Sequence, residues 1–190
     1  MSIYELIKNR RTIRTFKSTP IEHEKLLQIA DCARLAPTAA NLQPLKFAII
    51  TDENIRKAMF PHIKYAGYVP DWNPEFKETS PAFIAILNDS SIKPGEKAEC
   101  DCGAAIMSMC LAAEDMGISS CWLGAIDRGK IREILELEEK YDIMYLLALG
   151  YKNQSGETFD MTDSVKYYFD EDNNVHVPKR TLDEVVIKSN

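Results

Sequence analysis

The sequence lacks the features that mark several broad classes of protein. It has no run of about 20 apolar residues, the length that a membrane-spanning helix requires. Its formal net charge of −6 is opposite in sign to that of a general nucleic-acid-binding protein. The N-terminus, MSIYELIKNRR, contains no apolar stretch typical of a signal peptide. We therefore expect a cytoplasmic protein that binds neither nucleic acid nor a membrane.

Cysteine and histidine are too few, or too irregularly spaced, to indicate a disulfide framework, a metal site or a catalytic triad. The five cysteines are odd in number, so reduced thiols are expected. Cys100 and Cys102 form a CDC pair without the second pair of ligands that a structural zinc site needs, so no metal is expected. No Ser-His-Asp or Cys-His arrangement is evident. We expect His23, His62 and His176 to be surface residues, and we assign no catalytic side chain.

Length and composition predict one ordinary domain. The 190 residues are 45% hydrophobic and 27% charged, which is usual for a globular protein with a sizeable core. We find no internal repeat, low-complexity tract or linker, so the domain is expected to span residues 1–190. Short strands alternating with helices predict an α/β (α+β) sandwich.

The apolar stretch between Cys100 and Ala125 is the centre of the predicted fold. Ser108 is the only polar residue in the run GAAIMSMCLAA, and Gly117 supplies a plausible helix stop. A helix that is apolar on every face must be buried on all sides, and a second subunit is a natural way to cover it. The run SSCWLGA that follows, which ends in Gly124 and Ala125, predicts a strand. A core helix that simply leads into a core strand is the alternative interpretation.

A basic segment precedes this centre. Between Leu6 and Ile21 the sequence has five basic residues and no acidic residue, although the protein as a whole is acidic. Such a segment is suited to bind an anion, because arginine donates two parallel hydrogen bonds to a phosphate. The alternative is a solvated basic helix end that complements the helix dipole.

Four further segments have distinct predictions. Thr19-Pro20-Ile21-Glu22 has the pattern of a capping box that begins a helix. APTAANLQP, residues 36–44, predicts a loop whose small alanines admit a planar ligand, although an ordinary polar turn would have the same composition. The aromatic and proline-rich residues 61–81 predict a lid or a substrate wall. Residues 165–177 predict a hairpin around the acidic turn DEDNN.

Four segments in order resemble the nitroreductase family of FMN-dependent oxidoreductases: RRTIRTF at 10–16, APTAANLQP at 36–44, GISSCWLGA at 117–125 and PKRTLDEVV at 178–186. The resemblance implies a three-layer α-β-α sandwich with a mixed, mainly antiparallel sheet. It also implies an intertwined homodimer with two FMN sites at the interface. The absence of a GxGxxG fingerprint agrees with a mononucleotide cofactor.

The resemblance also implies the site and the activity. The implied cofactor-binding residues are Arg10, Arg11, Thr12, Arg14, Pro37, Thr38, Ala39, Asn41, Gln43, Leu123, Gly124, Lys179 and Arg180. The basic residues would hold the phosphate and ribityl chain. The loop would lie against the ring through Pro37, Thr38, Ala39 and Asn41, with Gln43 bracing it, and the end of the strand would reach the edge of the flavin. The implied reaction carries hydride from NAD(P)H through FMN to a small organic acceptor such as a nitroaromatic, a quinone or an enone. A non-catalytic flavin-binding or flavin-storage protein is the alternative.

Overall fold

The secondary structure alternates between helices and strands up to residue 150 and then changes to a small C-terminal sheet. A computed structural model describes residues 2–69 and 72–188. The helices are α1 (Ile3–Asn9), α2 (His23–Arg34), α3 (Glu53–Met59), α4 (Glu99–Asp115), α5 (Arg128–Ile134) and α6 (Leu182–Val185). The strands are β1 (Leu45–Ile50), β2 (Ala82–Asp89), β3 (Ser119–Leu123), β4 (Tyr141–Gly150), β5 (Gly156–Asp160), β6 (Tyr168–Phe169) and β7 (Val175–Lys179).

The main sheet has the strand order β1-β2-β4-β3, and each neighbouring pair is antiparallel. The smaller sheet has the order β5-β7-β6, with β5 parallel to β7 and β6 antiparallel to it. The mixed, mainly antiparallel character predicted from the sequence is therefore divided between two sheets. The predicted hairpin is formed by β6 and β7, whereas β5 was not predicted.

The main sheet is the middle of three layers. Because side chains alternate along a strand, β2 places Ile84 and Ile86 on one face and Phe83 and Ala85 on the other. The first face packs against the buried sides of α2 and α4. The second packs against buried residues of α3 and α5, among them Met59. The predicted three-layer sandwich is confirmed.

Helix α4 lies across the main sheet, and the chain buries it mainly on one side. Ile106 and Met109, on the side facing the sheet, are fully buried, whereas Met107 and Leu111 on the opposite side are half-exposed in the single chain. One chain therefore covers α4 only partly, as expected from the sequence, which predicts a second subunit over the remaining face. The helix ends as predicted at Gly117, whose φ of +73° favours glycine.

The beginning of α2 also differs from the prediction. The helix starts at His23, and its N-cap Glu22 has extended backbone and no side-chain cap hydrogen bond. The expected capping box from Thr19 is therefore wrong. Ile21 is only 7% exposed and packs in the core, so burial of this side chain keeps the chain out of the helix for three residues more than the local pattern indicates.

The C-terminal sheet contains a paired histidine that the sequence analysis placed on the surface. His176 is 19% exposed, with Nε2 3.0 Å from Asp170 Oδ2 and Nδ1 2.9 Å from Glu157 Oε1. Its ring stacks on Tyr168 with a centroid distance of 4.9 Å. The hydrogen bond with Asp170 raises the pKa of His176 above its ordinary value. His176 is therefore a partly exposed residue that the hairpin places between two carboxylates, a pairing that the sequence analysis did not predict.

Among the described residues, no helix is long enough and apolar enough to cross a membrane.

Candidate functional site

The basic segment after α1 does not act as one uniform cluster, since Arg11 is committed to the end of the helix. Its guanidinium donates to the carbonyl oxygens of Lys8 and Arg10, in the last turn of α1. It also donates to Thr158 Oγ1 in β5 at 3.0 Å. Arg11 therefore complements the helix end, as the alternative interpretation of the basic segment predicts, and it ties the small sheet to α1.

Arg10 and Arg11 each retain an unused donor. Within residues 2–69 and 72–188, the buried Nε atoms of both arginines have no hydrogen-bond acceptor. Buried donors without an acceptor are rare in folded proteins, and they indicate a missing partner. The neighbouring Glu114 is half-buried, and burial raises its pKa, against the opposing effect of the positive charges of Lys152, Arg10 and Arg11. This end of α4 is therefore suited to an anion.

Thr12 brings the basic segment alongside β3. Thr12 forms an isolated parallel bridge with Ser120, and the N–H of Ile13 donates to the Ser120 carbonyl at 3.0 Å. The segment thus continues the sheet at the beginning of β3. This pairing places Arg10 and Thr12 beside the first residues of the strand whose end carries Gly124.

Arg14 is buried in an aromatic environment instead of facing solvent. It is 8% exposed, its Nε donates to the carbonyl of Tyr65 at 2.7 Å, and its guanidinium carbon lies 4.4 Å from the ring centroid of Tyr167. Its backbone N–H donates to Gln154 Oε1 at 3.0 Å. Arg14 therefore fastens the predicted lid to the body of the protein.

The predicted lid packs against the C-terminal hairpin. Trp72 stacks on Phe169 at a centroid distance of 4.5 Å and donates from Nε1 to Asn173 Oδ1 at 3.2 Å. The ring centroids of Tyr68 and Tyr167 lie 5.2 Å apart. Residues 70 and 71 of this segment lie outside the described residues. The aromatic residues on either side of them form a wall that depends on the hairpin for support.

The loop at residues 36–44 is exposed and has an unusual backbone. Ala40, Asn41 and Gln43 have φ values of 52°, 54° and 51°, in the left-handed region that non-glycine residues seldom adopt. Thr38 holds the loop together, because its carbonyl accepts from the N–H of Asn41 at 3.0 Å and its Oγ1 accepts from the N–H of Gln43 at 3.1 Å. Gln43 Nε2 also donates to the Asn41 carbonyl at 3.3 Å, which agrees with the bracing role expected for it.

The first turn of α4 connects this loop to the end of β3. Asp101 Oδ1 accepts from the N–H of Ala39 at 3.0 Å, and Glu99 Oε2 accepts from Tyr145 OH at 2.5 Å. The hydrogen bond to Glu99 raises the pKa of Tyr145 to about 12. A Cβ atom at Gly124 would lie 3.4 Å from the Tyr145 ring. The loop and Leu123–Gly124 therefore meet at the start of α4, whereas Arg10 lies near its other end.

The remaining predicted residues are exposed. Pro37 begins the loop and is exposed. Lys179 ends β7 opposite Asp160 of β5, and Arg180 Nη1 lies 3.4 Å from Glu184 Oε1 in α6. The small sheet connects these two basic residues to α1 only indirectly, through the contact between Thr158 and Arg11.

Sequence reasoning missed Asp101, Lys93 and Tyr145. Asp101 lies between the two cysteines of the CDC pair and was considered only as part of a possible metal spacing. A carboxylate immediately before an apolar helix was the available signal, because burial of that helix would bury the charge as well. No group of three or more His, Cys, Asp or Glu side chains in the described part of the chain could hold a metal ion.

The model of the nitroreductase family matches residues 7–151 of the chain. The chain belongs to the nitroreductase family. The family and the fold predicted from the four segments are thus confirmed, and so are the predicted enzyme class and cofactor, an FMN-dependent oxidoreductase. The matched residues include the basic segment, the loop and β3, whereas the hairpin with Lys179 lies beyond them.

Individual relatives of this nitroreductase-family chain agree with the assignment. A protein of Archaeoglobus fulgidus described as an NADH dehydrogenase/NAD(P)H nitroreductase is 28% identical over 165 residues, covering 84% of this chain and 90% of its own. The structure of an FMN-dependent nitroreductase of Clostridium difficile is 25% identical, with a TM-score of 0.69, and the match covers 84% of this chain and 92% of that one. A nitroreductase structure from Desulfovibrio desulfuricans, in complex with FMN, has 20% identity and a TM-score of 0.76, with 100% and 98% coverage. This last likeness shows that the fold extends through the C-terminal sheet.

Proposed function

We propose that the protein transfers hydride from NAD(P)H through bound FMN to a small organic acceptor such as a nitroaromatic, a quinone or an enone. The observation that carries this proposal is the arrangement of the two ends of β3. Unpartnered buried arginine donors lie beside its beginning, and an exposed left-handed loop and Gly124 lie beside its end. An anionic group and a planar group joined by a chain would match this arrangement.

The basic end suits the phosphate and ribityl chain of FMN. In this proposal Arg10, with its free Nε donor, binds the phosphate together with Thr12, and Arg11 contributes positive potential while it caps α1. Lys179 and Arg180 add further positive charge from β7. The Nε of Arg14 already donates to the Tyr65 carbonyl, so Arg14 supports the site by holding Tyr65 in place.

The other end suits the flavin ring. Residues 37–41 present backbone and small side chains, and Gln43 braces the loop from within. Leu123 and Gly124 bring the end of β3 to the edge of the ring. Only glycine at position 124 leaves the space in front of Tyr145 clear of a side chain.

FMN, when bound, supplies the hydride-accepting and hydride-donating chemistry. The residues of this chain bind and orient it: the arginines hold the anionic end, and the loop and β3 fix the ring. The aromatic wall around Trp72, supported by Phe169, would exclude water from one side of the site. No side chain is assigned as a proton donor or acceptor, in keeping with the absence of a catalytic residue in the sequence prediction.

A homodimer would complete the fold. The half-exposed face of α4 adjoins an apolar groove of about 400 Å³ lined in part by Ile3, Leu6 and Leu111, and Ile3 is 71% exposed. Obligate dimers bury more than about 2,000 Å² of such surface. Sedimentation at low micromolar concentration is expected to give a species near twice 21.6 kDa. A folded monomer that binds FMN would contradict a shared site.

Turnover separates the oxidoreductase from the flavin-storage alternative. The FMN-loaded protein is expected to oxidise NADH or NADPH continuously when nitrofurazone or menadione is supplied, and the loss of nicotinamide absorbance measures the rate. Free FMN at the same concentration is the control. A protein that binds FMN tightly but turns over no faster than this control would support storage.

Replacement of Arg10 tests the phosphate site. Arg10→Ala is expected to weaken FMN binding by about 1.5–3 kcal/mol, the contribution of a hydrogen bond to a charged group. Riboflavin, which has no phosphate, should bind almost as well as it binds the wild type, and fluorescence titration measures both ligands. Lys57→Ala, which removes an exposed cation paired with Glu53 in α3, is the control. Equal weakening of both ligands would show that Arg10 maintains the fold.

Side chains of increasing size at position 124 test the ring site. A Cβ atom 3.4 Å from the Tyr145 ring is tight but tolerable, so Gly124→Ala and Gly124→Val are expected to fold. FMN occupancy and the rate of flavin reduction by NAD(P)H should fall progressively from glycine to alanine to valine. Gly129→Val, an exposed change in α5, is the control. A stable valine variant that binds FMN and is reduced at the wild-type rate would remove Gly124 from the site.

A further inference from the structure

A buried ion pair lies beneath the loop at residues 36–44. Lys93 Nζ is 2.6 Å from Asp101 Oδ2, and the two side chains are 9% and 3% exposed. Among the ion pairs formed by the described residues, this is the only one in which both side chains are nine-tenths buried. The second carboxylate oxygen, Oδ1, accepts from the N–H of Ala39 at 3.0 Å. One carboxylate therefore joins the lysine to the loop.

The pair is a poor way to gain stability. Removal of two charges from water is unfavourable, and replacement of such a pair by apolar residues of similar volume often leaves a protein equally stable or more stable. Burial by itself raises the pKa of Asp101, but hydrogen bonds from Lys93 and from the Ala39 N–H outweigh it and leave the pKa below its ordinary value. Asp101 is thus a carboxylate, and the first turn of α4 favours its negative charge. A role in fixing geometry accounts for the pair better than a role in stability.

The loop above the pair needs to be held from outside. A left-handed conformation is strained for most residues other than glycine, less so for asparagine, and Ala40, Asn41 and Gln43 all adopt it. Strained backbone of this kind persists only where its surroundings determine it. The hydrogen bonds that Thr38 accepts from Asn41 and Gln43 join the loop to itself and do not place it on the protein.

Both ends of the loop rest on one segment, residues 88–101. Ala39 donates to Asp101, and the carbonyl of Pro44 accepts from the N–H of Asp89 at 2.9 Å. The lysine is held in turn, because the fully buried Asn88 donates from Nδ2 to the Lys93 carbonyl at 2.8 Å. A continuous chain of contacts therefore runs from the end of β2 through Lys93 and Asp101 to the loop.

We propose that Asp101 is a positioning residue for the cofactor, whose hydrogen bond to the Ala39 N–H sets the place and conformation of the loop, and that Lys93 holds its carboxylate in position. The proposal rests on the proposed function, in which this loop lies against the flavin ring. Neither side chain needs to touch FMN. The hydrogen bond that Asp101 accepts is the essential element, and the charges serve to orient it.

Two double variants separate the hydrogen bond from the charges. Asp101→Asn with Lys93→Gln replaces the ion pair with neutral amides and keeps an oxygen for the Ala39 N–H. Asp101→Leu with Lys93→Met replaces it with apolar side chains of similar volume and removes the acceptor. The amide variant is expected to bind FMN within about threefold of the wild type. The apolar variant is expected to bind FMN at least about tenfold more weakly, which corresponds to about 1.4 kcal/mol.

Two further measurements show whether weaker FMN binding arises from a displaced loop and not from a less stable protein. The apoprotein of the apolar variant is expected to melt at or above the wild-type temperature, because apolar replacement of a buried pair is often neutral or stabilising. Hydrogen exchange of the loop amides in the same apoprotein should be at least about tenfold faster, with exchange in β2 and β4 unchanged. Glu53→Leu with Lys57→Met, which removes an exposed pair in α3, is the control and should alter neither quantity.

The possible results are distinct. An apolar variant that is folded and binds FMN like the wild type would overturn the proposal, whether or not loop exchange changes. A folded amide variant that loses FMN would overturn it too, because charge would then matter more than the hydrogen bond. If the apolar variant fails to fold, the amide variant decides. Failure of the wild type to bind FMN would overturn the proposed function itself, and that result is obtained before any variant is made.

Discussion

The need to cover one apolar helix determines much of this structure. Between its first and last turns, α4 has no polar side chain except Ser108, and that hydroxyl donates to the carbonyl of Ala104 four residues earlier at 2.9 Å. The helix therefore has nothing to offer water along its length, and the main sheet and α2 bury one side of it. Polar groups are confined to its two ends, and the candidate site is built from those ends.

The two ends of α4 have opposite characters. At the start, Glu99 and Asp101 accept hydrogen bonds from Tyr145 and from the Ala39 N–H, so carboxylates organise an exposed loop and the end of β3. Near the other end, Arg10 and Arg11 have unused buried donors. In one part of the site, carboxylates fix the position of the backbone and of a tyrosine. In the other part, cations have unused donors that suit an anion. The short strand β3 connects them.

The arginines of the basic segment illustrate why residue type does not fix residue role. Arg11 caps α1, and Arg14 grips the Tyr65 carbonyl beneath the ring of Tyr167. Arg10 keeps its buried Nε without an acceptor among the residues that the structure describes. All three have the same side chain and lie within five positions. Their different surroundings arise because the chain leaves a helix, joins the edge of β3 and then passes under the aromatic wall.

Local chemistry in the sequence by itself determined the alternation of helices and strands before the C-terminal sheet, the stop of α4 at Gly117 and the family. These features depend on neighbouring residues or on short motifs, and both are visible in the linear sequence. Only the tertiary structure decided the start of α2, where burial of Ile21 overrides the capping pattern, and the pairing of His176 with two carboxylates. It also decided the link between Ala39 and Asp101, which are 62 positions apart. Contacts of that kind depend on which surfaces the folded chain buries together, because desolvation and hydrogen bonding act between neighbours in space.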